Sequence, residues 1–270
     1  MKIYRFLLEG RPVFGVLRED RLHPLRGSVF EDFETEEEGI PIGRIRLLPP
    51  CEPSKIVAVG INYRGHAQER SKELPKEPLL FLKPPSALVG PGGIILHPRA
   101  SSRVDYEGEL AVVIRRGARH LSADADVGPY ILGLTCFNDV TARDLQDRDV
   151  QFTRAKSFDT FAAAGPCIAV GLPSDRLEIK TFHNGKLRQS SNTRNLIFSV
   201  PELLRAISWV MTLLPGDLVT TGTPPGVGPM KPGDRVDVQI EGIGTLSNTM
   251  AMDEDAEVPR RERENGRRKT

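Results

Sequence analysis

Short apolar runs, each bounded by glycine or proline, recur along most of the chain. Apolar runs of about four to eight residues between such breakers are typical of buried β-strands. Before residue 50 the pattern predicts two short strands, over Lys2–Leu8 and residues 12–17. The later runs read KIVAVG, PLLFLKP, GGIILHP, ELAVVIRRG, YILGLTCFNDV and GPCIAVG. We therefore predict a mainly β protein with few helices.

Two local signals are stronger than the rest. Alternating apolar and polar residues flank Asn184-Gly185, a pair that favours the type I′ turn of a β-hairpin because both central residues need positive φ. Ser199 and Glu202 form a capping-box pattern ahead of the amphipathic segment LLRAISWVMTLL, which Pro215 ends. The sequence thus predicts a hairpin here, followed by the best helix of the chain. A strand leading into the glycine- and proline-rich loop TTGTPPGVGP and an alternating strand pair come next.

Changes in composition along the chain suggest three parts. We predict a small N-terminal β subdomain over residues 1–50, ending at a breaker pair of prolines, and a catalytic domain over residues 51–252. Residues 253–270 contain six acids, six bases and almost nothing apolar. Such a segment lacks the apolar surface needed for folding, so we expect a disordered, solvated tail.

Charge and cysteine content narrow the range of partners. Lysine and arginine number 37 against 36 acidic residues, a net charge of +1, which provides no global basic field for nucleic acid or an anionic membrane. The three cysteines have no CxxC spacing and fit neither a disulfide framework nor a structural zinc site. Because no apolar run approaches the ~20 residues of a membrane span and no signal peptide is recognisable, we expect a cytoplasmic protein.

Three carboxylates lie at or near the ends of apolar strands. In the segment VDYEGELAVVI, Glu107 and Glu109 are two residues apart, which places them on one face of a strand about 7 Å apart. Asp139 follows the apolar run LTCFN. Buried carboxylates are costly unless a positive charge compensates them. Oxygen ligands of this kind select a hard cation such as Mg²⁺, Mn²⁺ or Ca²⁺, whereas the simpler interpretation is a solvated acidic strand face.

Other charged residues offer proton transfer or anion binding. His66 and Glu69 are three residues apart after the strand KIVAVG, with Asn62 as a candidate helix N-cap; at this spacing a carboxylate orients the imidazole of a general base. Arg143, Gln146 and Lys156 follow Asp139 and suit a carboxylate or a developing oxyanion. Taken singly, each of these residues is more often surface charge.

Read in order along the chain, these motifs resemble the fumarylacetoacetate hydrolase family. The matching segments are GINYRGHAQE, PLLFLKPPSALVGPGG, VDYEGELAVVI, FNDVTARDLQ, RAKSFDTFAAAGP, the NG turn and LVTTGTPPGVGPMKPGD. The resemblance extends from about residue 55 to residue 250. It implies a mixed β-roll or barrel-like fold of the fumarylacetoacetate hydrolase C-terminal type, a small N-terminal subdomain, and a homodimer.

The resemblance also assigns roles to individual residues. It implies one divalent cation per chain, Mg²⁺ or Mn²⁺ with Ca²⁺ as a third option, held by Glu107, Glu109 and Asp139. The implied catalytic residues are His66 and Glu69, on a mobile lid helix, and Lys156. The implied substrate-binding residues are Arg143, Gln146 and Thr223. Tyr106 and Asn138 lie among these motifs without an implied role.

The implied activity is chemistry on 2-oxo or 2,4-dioxo acids through a metal-bound enolate. We favour C–C hydrolysis of an acylpyruvate-type substrate, with His66 activating water and Lys156 stabilising the oxyanion. Two alternatives remain in aromatic compound catabolism: a 2-hydroxyhepta-2,4-diene-1,7-dioate isomerase and a 5-oxopent-3-ene-1,2,5-tricarboxylate or oxaloacetate-type decarboxylase. The same site serves all three reactions.

Two rivals come from other functional classes. Glu107 and Glu109 resemble the acid and nucleophile of a glycosidase, but the chain has only one tryptophan and four tyrosines for a sugar platform. The other rival is a non-catalytic 2-oxo acid binding protein. The presence of His66, Glu69 and Lys156 together argues against a protein that only binds.

Overall fold

The computed structural model of the chain describes residues 1–69 and 73–254. Most of the predicted tail lies outside these residues. The first ten strands are β1 Lys2–Leu8, β2 Arg11–Arg18, β3 Arg21–Gly27, β4 Phe33–Thr35, β5 Ile40–Pro41, β6 Ile56–Gly60, β7 Leu79–Lys83, β8 Leu88–Val89, β9 Ile94–His97 and β10 Val104–Tyr106. The next ten are β11 Gly108–Ile114, β12 Ile131–Asp139, β13 Thr141–Ala142, β14 Ala162–Ala169, β15 Glu178–His183, β16 Lys186–Asn192, β17 Leu218–Thr220, β18 Gly228–Met230, β19 Arg235–Ile240 and β20 Gly244–Met252.

Helices are short by comparison, which confirms a mainly β protein. They are α1 Arg64–Glu69, α2 Arg143–Arg148, α3 Thr153–Lys156 and α4 Val200–Val210, with 3₁₀ turns at Ile42–Arg44, Pro85–Ala87, Gly128–Tyr130 and Thr193–Asn195. None of the helices among the described residues is long and apolar enough to cross a membrane.

The strands form three sheets. The largest follows the order β4-β3-β2-β1-β14-β12-β11-β17-β6-β7, with β5 beside β3 and β8 beside β14; the others are β13-β10-β18 and β16-β15-β19-β20-β9. Strands β11 and β12, at the centre of the largest sheet, contact β15 and β19 of the five-stranded sheet. The two ends of the large sheet do not pair with each other, so the described strands form no closed barrel.

The central strand β11 shows why this chain forms two apolar layers. Leu110 and Val112 belong to one buried cluster, together with residues of β19 and β20. Ala111 and Val113, which point the other way, belong to a second cluster with residues of β1 and β14. Because neighbouring residues of a strand face opposite sides of a sheet, the continuous apolar run places β11 inside the molecule.

Both strong local predictions have structural counterparts. Asn184 and Gly185 have φ angles of 51° and 74° and join β15 to β16, the conformation of a type I′ turn. Helix α4 begins after Ser199, whose backbone N–H donates to the Glu202 carboxylate at 2.7 Å. The helix ends at Val210, earlier than predicted, because the chain then turns to pair with Ala118.

The first 50 residues contribute strands to the same large sheet. Strand β1 pairs with β2 on one side and with β14 on the other, both antiparallel. Backbone hydrogen bonds join Leu7 to Arg46 and Leu48 to Arg5, which brings the end of this segment back onto β1. Strand β14 thus separates the N-terminal segment from β12, and both β14 and β12 separate it from β11.

Candidate active site

The three predicted carboxylates converge where the apolar strands end. Glu107 lies between β10 and β11, Glu109 lies in β11, and Asp139 is the last residue of β12. Each offers an oxygen atom within 4.8 Å of the others, and all three side chains are buried. The Asn138 side chain accepts a hydrogen bond from the Glu107 N–H at 2.9 Å, and the Asp139 N–H donates to the Glu107 carbonyl at 2.8 Å. The strand pairing therefore fixes the cluster, and Asn138 gains a role that the sequence did not suggest.

Gly108 explains how two glutamates fit so close to a second sheet. A Cβ atom built on Gly108 would lie 2.0 Å from Oγ1 of Thr181 and 3.2 Å from Oε1 of Gln189. The Gly108 N–H instead donates to that Gln189 oxygen at 3.0 Å. Only glycine permits this approach, so the middle residue of Glu107-Gly108-Glu109 holds the pair against the sheet of β15 and β16.

Two predicted cations neutralise part of the cluster. Nζ of Lys156 donates to Glu107 at 2.8 Å and to Asp139 at 2.6 Å. Arg143 donates to Glu107, to Asp105 and to Gln146. Burial alone would raise the pKa of Glu107, but the charges of Lys156 and Arg143 outweigh it, and this pKa is lowered. Burial alone would lower the pKa of Lys156, and the nearby carboxylates raise it instead.

A third cation, Lys83, was missed by the sequence analysis. Its Nζ atom is fully buried, donates to Asp139 at 2.5 Å and to the Val140 carbonyl at 3.2 Å. Burial lowers the pKa of Lys83 to about 8, and Asp139 opposes this only in part. The available signal was a lysine at the end of an otherwise apolar strand, because a buried lysine requires a partner of opposite charge.

Glu109 differs from the other two carboxylates. Its Oε2 accepts a hydrogen bond from Gly222 N–H at 2.9 Å, and no ion pair to it occurs among residues 1–69 and 73–254. Burial and the charges of Asp139 and Glu107 raise the pKa of Glu109 well above its ordinary value. Three converging carboxylates, one of them without a cation, fit a hard divalent ion of the Mg²⁺ or Mn²⁺ type.

The predicted pair of His66 and Glu69 lies on α1. Nδ1 of His66 is 2.8 Å from Oε2 of Glu69, and the imidazole is buried. A carboxylate only accepts hydrogen bonds, so Nδ1 is the donor and neutral His66 has its proton-accepting atom at Nε2. Asn62 does not cap this helix, contrary to expectation. Its side-chain N–H₂ donates to the carbonyls of Phe198 and Thr221, and its side-chain oxygen accepts from the Phe198 N–H. Buried polar atoms need such partners, and here they lie away from α1.

One cavity of about 240 Å³ joins these groups. The predicted residues that line it are His66, Glu107, Glu109, Asp139, Arg143, Gln146, Lys156 and Thr223. Glu69 is the remaining predicted residue and reaches the cavity through His66. Phe81 and Phe152 also line the cavity, and their rings meet edge to face at 5.6 Å. The structure thus brings charged groups and an apolar wall together around a small volume.

The loop that carries Thr223 is anchored by another residue that the sequence analysis missed. Nε2 of Gln189 donates to Oγ1 of Thr223 at 2.8 Å and to the Pro224 carbonyl at 2.7 Å. The Thr223 hydroxyl in turn donates to the Gly108 carbonyl at 2.9 Å. Gln189 lies on an alternating, partly exposed strand, so the local pattern does not indicate that its side chain is fully buried.

Comparison with known proteins identifies the family. A family model described as fumarylacetoacetate (FAA) hydrolase C-terminal matches residues 55–251, and one described as Rv2993c-like, N-terminal matches residues 1–50. Oxaloacetate tautomerase YisK of Bacillus subtilis is 42% identical over 223 residues, covering 77% of this chain and 73% of that protein.

Solved structures agree with this similarity. The 2-hydroxyhepta-2,4-diene-1,7-dioate isomerase of Mycobacterium marinum matches with a TM-score of 0.87 and 40% identity over 94% of this chain and 99% of that one. The maleylpyruvate hydrolase of Sphingobium sp. SYK-6, solved with manganese(II) and pyruvate, matches with a TM-score of 0.77 and 28% identity over 93% and 99%. The motifs, the fold and these matches together show that the chain belongs to the fumarylacetoacetate hydrolase family, whose members include isomerases, hydrolases and tautomerases.

Proposed function

We propose that this protein is a metal-dependent enzyme that moves a proton on the carbon next to the keto group of a small 2-oxo acid. The observation that carries the proposal is the position of His66. It faces the same cavity of about 240 Å³ as the three converging carboxylates, and Glu69 holds its Nδ1 atom at 2.8 Å. A base and a site for a cation around one small volume suit enolisation of a small substrate.

The metal would be held by Glu107, Glu109 and Asp139. When bound, a divalent ion of this type polarises carbonyl and carboxylate oxygens as a Lewis acid. We propose Mg²⁺ or Mn²⁺, and the manganese(II) in the Sphingobium relative supports this choice. Substrate or water would supply further oxygen ligands, because such ions take about six or more oxygens.

The chain itself supplies the base and the positive charge. Nε2 of His66 takes the proton from the substrate carbon, and Glu69 stabilises the imidazolium that forms. The electron pair moves to the keto oxygen, where Lys156 and Arg143 contribute favourable charge along the cavity wall. The apolar rings of Phe81 and Phe152, which also line the cavity, restrict water there. Return of the proton to the oxygen gives the enol form.

Keto–enol tautomerisation of oxaloacetate is therefore our first candidate reaction. The 42% identical YisK protein, which is named as an oxaloacetate tautomerase, supports it. Acylpyruvate hydrolysis is the second candidate, and the maleylpyruvate hydrolase with the same fold favours it. In hydrolysis His66 would take its proton from water, which attacks the distal carbonyl, and C–C cleavage would leave the enol of pyruvate. We further propose a homodimer, as the family resemblance implies.

One assay separates these reactions. Oxaloacetate and a panel of acylpyruvates would be followed by their enol absorbance and by pyruvate release, with Mg²⁺, with Mn²⁺ and with a chelator. We expect metal-dependent loss of enol from oxaloacetate faster than the uncatalysed rate. Metal-dependent cleavage of an acylpyruvate would establish hydrolysis instead. Full activity in the presence of the chelator would contradict the metal site.

Substitution of the base sharpens the test. His66→Ala should lower kcat by about 100- to 10,000-fold, the usual value of a positioned acid or base. Metal affinity should change little, because His66 makes no hydrogen bond to the three carboxylates within the described chain. His23→Ala provides a matched control, since the His23 imidazole also makes one hydrogen bond, with the Glu36 carbonyl, and lies in β3, outside the cavity. Equal kcat values for wild type and His66→Ala would exclude this base.

A further inference from the structure

We propose that Tyr106 is a positioning residue for His66, acting through the backbone of Gly226 and the carboxylate of Glu69. This inference rests on the proposed function, in which His66 is the base. Tyr106 lies directly before the acidic pair, yet its hydroxyl points to the loop over residues 222–228 rather than to the cavity. The family resemblance assigns it no role.

Three hydrogen bonds connect Tyr106 to His66. The Tyr106 hydroxyl donates to the Gly226 carbonyl at 3.2 Å. The Gly226 N–H donates to Oε1 of Glu69 at 2.9 Å. Oε2 of Glu69 accepts from Nδ1 of His66 at 2.8 Å. Glu69 thus divides its two oxygens between the base and the loop, and Tyr106 holds the loop from the other side.

The backbone at Gly226 can adopt this position only as glycine. Its φ is +101°, and a Cβ atom there would lie 2.2 Å from the Arg188 carbonyl oxygen. Gly228 leaves room for the tyrosine, since a Cβ atom at that position would lie 2.9 Å from the Tyr106 hydroxyl. The loop is therefore shaped around Tyr106 on one side and around β16 on the other.

The phenol ring itself is held in place. Tyr106 is buried, with 2% of its surface exposed. Its ring packs against the imidazole of His183 at a centroid distance of 5.4 Å, and Nε2 of His183 is 2.8 Å from Asp234. A fixed ring gives the hydroxyl a fixed direction, so its hydrogen bond to Gly226 can hold the loop over residues 222–228 in one position.

Helix α1 needs such an external anchor. Its described part, Arg64–Glu69, has six residues, and a helix of this length is far too short to be stable alone in water. Glu69 is the last residue of α1 that the structure describes, and about a third of its side chain is exposed. Without the Gly226 N–H, the Glu69 carboxylate would exchange with water and hold the imidazole less firmly. Among the described residues, the Tyr106 hydroxyl is connected to the base through Gly226 and Glu69, so its loss should affect the rate more than binding.

Tyr106→Phe tests the inference, with Tyr4→Phe as a matched control in another part of the same apolar cluster. Amide hydrogen exchange of the full chain without substrate should become faster over residues 64–69 and 222–228 in Tyr106→Phe and stay unchanged in Tyr4→Phe. With the substrate that the panel identifies, kcat should fall about threefold to tenfold, the value of one hydrogen bond. KM and metal affinity should stay within about twofold.

A double-mutant cycle separates positioning from general damage. If Tyr106 acts through Glu69, Tyr106→Phe should have no further effect on kcat in a Glu69→Ala background. Unchanged hydrogen exchange of residues 64–69 in Tyr106→Phe, or equal losses of kcat with and without Glu69, would overturn the inference. The exchange experiment needs no turnover, so a failure of the proposed function is distinguishable from a failure of this one.

Discussion

Two buried carboxylates in this protein have opposite surroundings. Asp217, at the turn before β17, accepts hydrogen bonds from the N–H and hydroxyl of Ser54 at 3.0 and 2.7 Å, and from the N–H of Lys55 at 3.2 Å. Its other oxygen accepts from Nζ of Lys55 at 2.5 Å and from the N–H of Leu214 at 2.8 Å. Glu109 is equally buried, yet it accepts one backbone hydrogen bond, from Gly222, and the charges of Asp139 and Glu107 add to burial in raising its pKa.

The difference shows what distinguishes a structural acid from a site for a ligand. At Asp217 the chain supplies a cation and four further donors, so burial of the charge is compensated within the fold. At Glu109 the described chain supplies one backbone donor and no ion pair, and the carboxylate lies on a cavity wall. Burial by itself therefore does not identify a functional carboxylate. The informative quantity is the number of donors that the chain provides.

The largest effect should come from Asp217→Asn. This change removes the negative charge and directs an amide N–H₂ toward donors on Lys55 or Leu214 or Ser54. Breaking a buried ion pair costs about 3–5 kcal/mol, and we expect a loss of that size in the free energy of unfolding, measured by urea denaturation. Asp175→Asn, at an exposed ion pair with Arg176, is the control and should leave the midpoint unchanged. A midpoint shift of equal size in both variants would invalidate the comparison.

Glu109→Gln should have the opposite effect on the metal-free protein. Because the pKa of Glu109 is raised in the fold, the folded state binds this proton more tightly than the unfolded chain does. The wild-type protein should therefore gain stability from this group as pH falls from the raised pKa toward the ordinary value of 4.5, and lose it as pH rises. Glu109→Gln should lack this contribution and be at least as stable at neutral pH. Thermal unfolding of both proteins from pH 5 to 8 would measure the difference.

The same variant should bind metal poorly. Mutation of a group that only orients a metal ligand lowers metal affinity by about 10- to 100-fold. Loss of a direct ligand should therefore weaken Mn²⁺ binding by about 100-fold or more. Calorimetry would measure this affinity. Unchanged affinity for Mn²⁺ would remove Glu109 from the site.

The smallest of these effects should come from Lys55→Met. The lysine side chain is 20% exposed, and Asp217 keeps its donors from Ser54 and Leu214 when the ammonium is removed. We expect a loss of about 1–2 kcal/mol in the free energy of unfolding, again by urea denaturation. A loss as large as that of Asp217→Asn would mean that the ion pair alone, rather than the whole set of donors, compensates the charge.

Local sequence signals predicted much of this fold. The Asn184-Gly185 turn and the start of α4 depend on φ preferences and capping within a few residues, so they are readable from the chain. The end of α4 could not be predicted from local patterns, because the pairing of Leu213 with Ala118 joins segments 95 residues apart in the sequence. Element boundaries set by distant pairing lie outside local patterns.

The candidate site was likewise predicted only in part. The nine residues suggested by motifs all lie in or beside one cavity, but the motifs did not indicate the residues that hold them there. Lys83, Asn138 and Gln189 are ordinary residue types in ordinary strands. Their importance comes from partners that are 31 to 81 residues away in the sequence.

The sequence by itself determined the mainly β character, the hairpin, the capped helix and the types of residue available for chemistry, since these follow from local preference and from composition. Only the tertiary structure decided that Asp217 has an ion pair while Glu109 has none within residues 1–69 and 73–254, and that Glu69 shares its oxygens between His66 and Gly226. The physical reason is that compensation of a buried charge depends on every donor within hydrogen-bonding distance. Folding alone brings those donors together.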